Sequence, residues 1–172
     1  MSAKQERRLV LVRHAKAVPK GGIEDVDRPL ADRGRGDAEA MGHRLGGSRL
    51  GVDLALCSPA ARTRQTWQLM RPSLSDQPPV VYENRLYNAE MDTLLAAVTA
   101  TDDGVSGLLL VGHNPGIHEL AAALPGDGPE ELLRRIRASM PTCAVAVLEF
   151  SGDWADLAPG TGRLATLLAP GD

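Results

Sequence analysis

The chain has 172 residues, of which 43% are apolar and 24% are charged, and its formal net charge is −3 at pH 7. This length predicts a single domain over residues 1–172, and the composition matches an ordinary soluble globular protein. The small negative charge disfavours nucleic acid and anionic membrane surfaces as partners. No membrane helix is expected either, because every apolar run is far shorter than the ~20 residues that a membrane-spanning helix needs.

The amino-terminal segment and the cysteines favour a cytoplasmic location. Residues 1–7 are expected to form a flexible tail, and the polar start of the chain lacks the apolar core of a signal peptide. Cys57 and Cys143 form no Cys-x-x-Cys motif, so a buried free thiol is expected for each of them.

The first predicted strand is the apolar run Leu9–Val12, and it leads directly to Arg13 and His14. The following segment, residues 17–30, contains glycines, prolines and alternating charges, so it is interpreted as a loop long enough to be functional. A helix is expected to begin near Asp32 and to end at a pair of glycines.

The second predicted strand, Val52–Cys57, is followed by a helix that ends near Met70. Ser58 is the expected N-cap of this helix, with Pro59 at its first position. A short third strand is expected at Val80–Tyr82.

The next apolar strand, Gly107–Val111, precedes His113, and Asn114 is expected to cap a helix with Pro115 in its first turn. The remaining predicted elements are two helices and two final strands, at Leu94–Val98, Glu130–Arg137, Cys143–Phe150 and Leu164–Leu168. Strands that alternate with helices predict an α/β fold around a largely parallel sheet, and the two consecutive strands at the end predict an antiparallel edge.

The ends of three predicted strands carry the residues of a phosphate site. The carboxyl ends of parallel strands meet in one crevice, so Arg13, His14, Arg62 and His113 are expected to lie together. The planar, permanently charged guanidinium of arginine suits a phosphoryl group, and a neutral histidine can attack phosphorus directly. This set indicates an enzyme that acts on phosphate and requires no metal.

Three further residues are candidate substrate ligands. Ser58 and Asn114 are expected to cap helices first and to lie near the phosphate second, and Lys16 is a candidate for the mouth of the site or a surface residue. His113 and His118 lie five residues apart across a helix start, which is not the usual spacing of metal ligands, and no metal site is predicted.

Four segments carry a resemblance to a known family: Arg13-His14-Ala15, then Arg28-Pro29-Leu30 with Gly34, then Ser58-Pro59-Ala60-Ala61-Arg62-Thr63-Arg64-Gln65-Thr66, then Gly112-His113-Asn114-Pro115. In this order they resemble the motifs of the histidine phosphatase superfamily, also called phosphoglycerate-mutase-like. The short chain and the form Arg-His-Ala-Lys-Ala are similar to the SixA-type phosphohistidine phosphatase branch. The resemblance implies a three-layer α/β/α sandwich with a mostly parallel mixed sheet. It also implies that His14 is the nucleophile and that Arg13, Arg62 and His113 hold the phosphate.

The chain departs from the family pattern at two places. Ala15 replaces the glycine of the Arg-His-Gly signature. Where family members that cleave phosphate esters usually carry an acidic proton donor, this chain has Asn88, and the nearby carboxylates, Glu83, Glu90 and Asp92, have no place that the sequence alone can assign. A general acid contributes roughly 10²- to 10⁴-fold, so its absence favours a substrate whose leaving group departs without one.

These observations predict a metal-independent phosphatase without a cofactor that forms a phosphohistidine intermediate and dephosphorylates phosphohistidine on proteins. Two alternatives stay open. One is a phosphatase of small phosphomonoesters in which an unassigned carboxylate is the acid, and the other is a phosphohistidine-binding protein with little turnover. The expected partner is thus a phosphorylated protein or a small phosphorylated substrate.

Overall fold

The structure, a computed structural model, describes residues 5–172. Within this range seven strands form one sheet: β1 (Glu6–Arg13), β2 (Leu54–Cys57), β3 (Val80–Tyr82), β4 (Gly107–Gly112), β5 (Pro125–Asp127), β6 (Val145–Ser151) and β7 (Gly162–Leu168). Five α-helices accompany the sheet: α1 (Asp32–Gly46), α2 (Ala61–Met70), α3 (Met91–Thr99), α4 (Gly116–Ala123) and α5 (Glu130–Ala138). Short 3₁₀ turns lie at Asp25–Asp27, Arg71–Ser73, Asn84–Leu86 and Trp154–Asp156.

The sheet has the strand order β3-β2-β4-β1-β6-β7-β5. Strands β1 to β4 pair in parallel with one another, whereas β6 pairs antiparallel with both β1 and β7. The predicted mixed sheet is therefore confirmed, and its two final strands are antiparallel. The predicted antiparallel edge is wrong, because the strand at that edge is β5, which pairs in parallel with β7. The register pairs Arg13 of β1 with Gly112 of β4, which brings the residues that follow these two strands side by side.

The apolar core has two parts, one on each face of the sheet. Leu9 and Leu11 point towards α3, α4 and α5, while Val10 and Val12 point towards α1 and α2, as the alternation of side chains along a strand requires. All four side chains are fully buried, and each such burial stabilises the fold by about 1.5–3 kcal/mol. Helices on both faces give the predicted three-layer sandwich.

Several predicted details differ from the structure. Strand β1 begins at Glu6, so residues 6 and 7 belong to the sheet and not to the predicted tail, whose residues 1–4 lie outside the described range. Strand β5 was not predicted, because a segment of proline, glycine and aspartate is atypical of a strand; it lies at the sheet edge, where such residues are tolerated.

Two predicted helix caps are wrong. Helix α2 has Ala60 at its N-cap and α4 has Pro115, and neither N-cap residue makes a side-chain capping bond. Ser58 and Asn114 precede these positions, and their side chains bond elsewhere: the Ser58 hydroxyl to the ring of His113, and the Asn114 amide to the carbonyl of Met140.

Both cysteines are buried free thiols, as predicted, and burial raises the pKa of Cys57 and of Cys143 to about 12. Among residues 5–172, no helix combines the length and the apolar character required to cross a membrane.

Candidate active site

A polar cavity of about 320 Å³ opens at the carboxyl ends of β1, β2 and β4. Its wall carries five cationic side chains, Arg13, Lys16, Lys20, Arg28 and Arg62, together with His14, Ala17, Asp25, Asn88, His113, Asn114 and Thr142. Asp25 is the only carboxylate among these lining residues. The cavity is therefore built for an anion.

His14 lies directly after β1, and its main chain is held on both sides. The His14 N–H donates to the carbonyl of Gly112 (3.2 Å), and its own carbonyl accepts from the N–H of Cys143 (3.0 Å). Its Nδ1 lies 2.8 Å from the carbonyl oxygen of Ala15. A carbonyl can only accept, so this contact places the ring proton on Nδ1 and leaves a lone pair on Nε2.

The ring of His14 is neutral at pH 7. Burial lowers the pKa of His14 to about 4, and the positive charges of Arg62 and Arg13 act in the same direction. An unprotonated Nε2 in a cavity lined by cations is a competent nucleophile for an electrophilic phosphorus atom.

The surroundings of Ala15 explain why an alanine can stand where the family signature has a glycine. Ala15 is fully buried in the core on the side of α1 and α2 and is absent from the cavity wall. Its N–H donates to Oγ1 of Thr66 (3.0 Å), and the Thr66 hydroxyl donates to the carbonyl of Arg62 (2.7 Å). The turn that presents His14 is thus tied to helix α2.

The loop between β1 and α1 is fixed at two further points. The N–H of Leu30 donates to the side-chain oxygen of Gln65 on α2 (2.8 Å). The first turn of α1 also approaches the main chain of Lys16, where a Cβ at Gly34 would lie 2.0 Å from the carbonyl oxygen. Only glycine fits there, which gives Gly34 a packing role in the motif.

Arg13 and Arg62 both bring a guanidinium group to the cavity wall. Nη1 of Arg13 donates to the carbonyl of Met140 (3.1 Å), and Arg62 donates to the main chain and carboxylate of Asp25. The Nε atoms of both arginines are buried and have no hydrogen-bond partner within the described residues. The planar, charged guanidinium groups on the cavity wall suit an oxyanion as ligand.

His113 follows β4 and lies beside His14, with ring centroids 5.3 Å apart. Its Nε2 is 2.7 Å from the hydroxyl of Ser58, and its Nδ1 is buried without a partner in residues 5–172. Burial lowers the pKa of His113 to about 3, and the positive charge of Arg62 contributes in the same direction. His113 is therefore also neutral at pH 7.

Asp25 is a site residue that sequence reasoning missed. Its Oδ2 accepts from Nη2 of Arg62 (3.2 Å) and from the hydroxyl of Tyr87, and its Oδ1 accepts from Nε of Arg28 (3.0 Å). The hydrogen bond from Tyr87 and the bonds from the two arginines hold the pKa of Asp25 well below its usual range. Asp25 lies three residues before the Arg28-Pro29-Leu30 segment, and this short spacing is the sequence feature that could have indicated its role.

Tyr87 connects Asp25 to the rest of the site. Its ring contacts His113 edge-on, with centroids 5.6 Å apart, and the guanidinium of Arg62 lies 5.9 Å from the ring centre. The bond to Asp25 raises the pKa of Tyr87. The tyrosine therefore stays protonated and packs against two of the predicted site residues.

The candidate acids lie away from the cavity. Glu83 pairs with Arg85 (2.7 Å), while Glu90 and Asp92 line a neighbouring cavity of about 340 Å³. The two cavities share Asn88, whose Oδ1 is 3.4 Å from Nη2 of Arg62. None of the three carboxylates is among the residues that line the cavity of His14.

The remaining predicted site residues divide into two groups. Lys16 and Asn114 line the cavity, whereas Ser58 is fully buried behind His113 and is absent from the wall. His118 does not join His113: its Nε2 bonds to the carbonyl of Ile136. Within residues 5–172, no group of three or more histidine, cysteine, aspartate or glutamate side chains is arranged to hold a metal ion.

Comparison with known proteins gives the family. The model of the histidine phosphatase superfamily (branch 1) matches residues 9–95. An uncharacterised protein from Mycobacterium tuberculosis is 38% identical over 161 residues, which cover 92% of this chain and 99% of that protein.

Two solved structures are similar over almost the whole chain. A candidate phosphohistidine phosphatase SixA from Nakamurella multipartitia is 34% identical with a TM-score of 0.82, and the match covers 99% of this chain and 100% of that one. A second candidate of the same name, from Agrobacterium tumefaciens, is 34% identical with a TM-score of 0.81, over 95% and 98% of the two chains. The chain therefore belongs to the histidine phosphatase superfamily and, within it, to the SixA-type branch, which makes it a phosphatase.

Proposed function

We propose that this phosphatase removes the phosphoryl group from phosphohistidine on proteins, through a phosphohistidine intermediate on His14. One observation carries the proposal: a neutral histidine nucleophile lies in a cation-lined cavity in which the only lining carboxylate, Asp25, is ionised. Nucleophile and anion-binding groups are present together, but no lining carboxylic acid is available to protonate a leaving group.

The first step transfers the phosphoryl group to the enzyme. The guanidinium groups of Arg13 and Arg62 on the cavity wall bind the phosphoryl oxygens, and Nε2 of His14 attacks phosphorus in line with the leaving imidazole. A phosphorus–nitrogen bond forms on His14 while the phosphorus–nitrogen bond of the substrate breaks. Solvent supplies the proton of the departing ring. The arginines stabilise the charge on the equatorial oxygens, which is the main catalytic requirement of phosphoryl transfer.

The Ala15 carbonyl assists the same step. When Nε2 of His14 acquires the phosphoryl group, positive charge develops on the ring, and the Nδ1–H bond to the Ala15 oxygen becomes charge-assisted and stronger. In the second step, water attacks phosphorus, the bond to Nε2 breaks, and phosphate leaves. His14 returns to its neutral form, with the proton on Nδ1.

The leaving group decides between substrate classes. An alkoxide requires a proton as it departs, and a general acid contributes roughly 10²- to 10⁴-fold to that step. The imidazole of phosphohistidine is protonated by solvent near neutral pH and departs readily. A cavity without a protonated carboxyl is therefore better suited to phosphohistidine than to a phosphate ester. The names of the two SixA-like relatives support the same substrate.

The test compares phosphate release from a phosphohistidine protein, p-nitrophenyl phosphate and sugar phosphates, in EDTA, with wild type and His14→Ala. We expect a strong preference for phosphohistidine that His14→Ala abolishes, and rapid quench should trap an acid-labile phosphoryl group on wild-type His14. Turnover without a trapped phosphoenzyme would overturn the mechanism. Comparable or faster hydrolysis of the esters would overturn the substrate class.

The main alternative is hydrolysis of small phosphomonoesters with a carboxylate as the acid. One observation favours this alternative: Glu90 and Asp92 line the neighbouring cavity, which shares Asn88 with the cavity of His14. The same assay decides when Glu90→Gln and Asp92→Asn are added to it, because an ester phosphatase would lose ester turnover in one of these two variants. A binding protein with little turnover would instead show neither phosphate release nor a phosphoenzyme.

A further inference from the structure

Ser58 is held firmly behind His113. Its main-chain N–H donates to the carbonyl of Val111 (3.2 Å), and its own carbonyl accepts from the hydroxyl of Thr63 (2.7 Å). The residue has no exposed surface, so its hydroxyl cannot exchange the contact with His113 for one with solvent. The 2.7 Å bond between Oγ and Nε2 is therefore a fixed feature of the site.

The direction of this bond follows from the hydrogen of the buried hydroxyl, which has no acceptor other than His113 within residues 5–172. The N–H of Ala60 points to the same Oγ at 3.4 Å and uses the oxygen as an acceptor. The single hydroxyl hydrogen remains available, and His113 is the side-chain partner within reach. A hydroxyl that accepts from Ala60 and donates to Nε2 leaves the proton of a neutral ring on Nδ1.

The two tautomers of a neutral His113 have opposite effects on a bound phosphoryl group. His113 lines the cavity, and with the proton on Nδ1 its donor is on the one ring nitrogen that has no partner within the described residues. With the proton on Nε2, the same nitrogen would present a lone pair next to an anion. The first arrangement attracts the phosphoryl oxygens, whereas the second repels them.

We propose that Ser58 is a positioning residue that holds neutral His113 in its Nδ1–H tautomer, so that this N–H is the hydrogen-bond donor for the transferring phosphoryl group. The catalytic consequence rests on the function proposed above, but the tautomer is a property of the free enzyme. Ser58 thus acts through His113 and does not contact the substrate.

The tautomer can be measured directly by long-range ¹H–¹⁵N NMR on histidine-labelled protein at pH 7. We expect His113 of the wild type to be protonated on Nδ1, and Ser58→Ala to shift it towards the Nε2–H form that free neutral histidine prefers. Ser73→Ala is the matched control, because it removes a serine hydroxyl that lies 3.2 Å from Nδ1 of the exposed His43, outside the cavity. This control should leave the His113 signals unchanged.

Kinetics supply the second readout. Loss of one preorganised donor costs about 10²- to 10³-fold in kcat, and since Ser58→Ala keeps the His113 ring, we expect a loss of roughly ten- to a hundredfold in kcat with KM nearly unchanged. Ser58→Cys, which keeps a weak donor, should fall between Ser58→Ala and wild type. Ser73→Ala should match wild type.

The outcomes separate this inference from the proposed function. An Nε2–H tautomer in wild type, or an Nδ1–H tautomer that survives in folded Ser58→Ala, would overturn the role of Ser58. If Ser58→Ala does not fold, the wild-type spectrum alone decides. If the tautomer behaves as expected but no phosphoenzyme forms on His14, the positioning role stands and the proposed function fails.

Discussion

Arg62 and Asp25 are joined by two hydrogen bonds, from Nη1 to the Asp25 carbonyl (2.8 Å) and from Nη2 to its carboxylate (3.2 Å). Arg62 lies in the first turn of helix α2, and Asp25 lies in the loop after β1. These two bonds attach the Arg62 guanidinium, which lines the cavity, to the loop between β1 and α1. Since the Arg62 side chain is almost fully buried, its orientation depends on this partner.

We predict that Asp25→Asn lowers kcat/KM by about tenfold or more, because misplacement of a positioning group by about 1 Å can cost up to 10²-fold. The asparagine keeps the size of the side chain but loses the charge that orients Arg62 and Arg28. The measurement is steady-state phosphate release from a phosphohistidine protein. Asp27→Asn is the control, since Asp27 is an exposed carboxylate of the same turn. Equal rates for the two variants would contradict the positioning role of Asp25.

The lowered histidine pKa values predict a stability that falls in acid. The unfolded chain binds protons at His14 and His113 near pH 6.5, whereas the folded protein does so only near pH 4 and 3. Between these values the unfolded state carries more protons, so the free energy of unfolding decreases as pH falls from 6.5 towards 4. Above pH 6.5 these two groups contribute no slope.

Urea unfolding at pH 7.5 and pH 5 measures this effect. His14→Gln should lose less stability between the two pH values than wild type, by roughly 1–2 kcal/mol, because one lowered titration is removed. An identical pH dependence of wild type and variant would show that His14 titrates normally in the folded protein.

Glu90→Gln and Asp92→Asn test whether an acid outside the cavity takes part. We expect each variant to hydrolyse phosphohistidine within about twofold of wild type, because neither carboxylate lines the cavity of His14. Loss of a general acid would instead cost roughly 10²-fold or more. The rates are compared by the same phosphate-release assay, with His14→Ala as the inactive reference. A drop of a hundredfold in either variant would identify that carboxylate as a proton donor.

Thr66→Val tests the hydrogen bond that holds the main chain after His14. The change preserves shape but leaves the buried Ala15 N–H without its acceptor, and we expect a loss of about 1–3 kcal/mol in the free energy of unfolding. Thr99→Val is the matched control: it removes a hydroxyl that bonds to the Ala96 carbonyl at the exposed end of α3, and it should change stability by less than about 0.5 kcal/mol. Equal losses in urea unfolding would argue against a special role for Thr66.

Much of the fold could be predicted from the sequence because its central strands are apolar on both faces. Leu9–Val12 and Gly107–Val111 have no polar side chain that could face solvent, so their burial between two helical layers follows from composition alone. The helix caps could not be predicted from residue type. Ser58 and Asn114 are good capping residues, but tertiary hydrogen bonds to His113 and Met140 compete for the same atoms.

The convergence of Arg13, His14, Arg62 and His113 was predictable, since each residue follows or lies close after a strand of one parallel set. Asp25 was not, because its role arises from contacts across 37 residues to Arg62 and 62 residues to Tyr87, with no periodic pattern to signal them. The positions of Glu90 and Asp92 relative to the cavity of His14 could not be predicted either, because they depend on the short turn after β3.

The position of β1 in the sheet has a consequence for synthesis of the protein. Strand β1 is made before the other six described strands, yet it lies inside the sheet, hydrogen-bonded on one side to β4 and on the other to β6. The His14 carbonyl also receives its bond from Cys143, far along the chain. A nascent chain therefore has no partner strand for β1 until β4 has emerged, and it cannot complete the hydrogen bonds around His14 until Cys143 and β6 have followed.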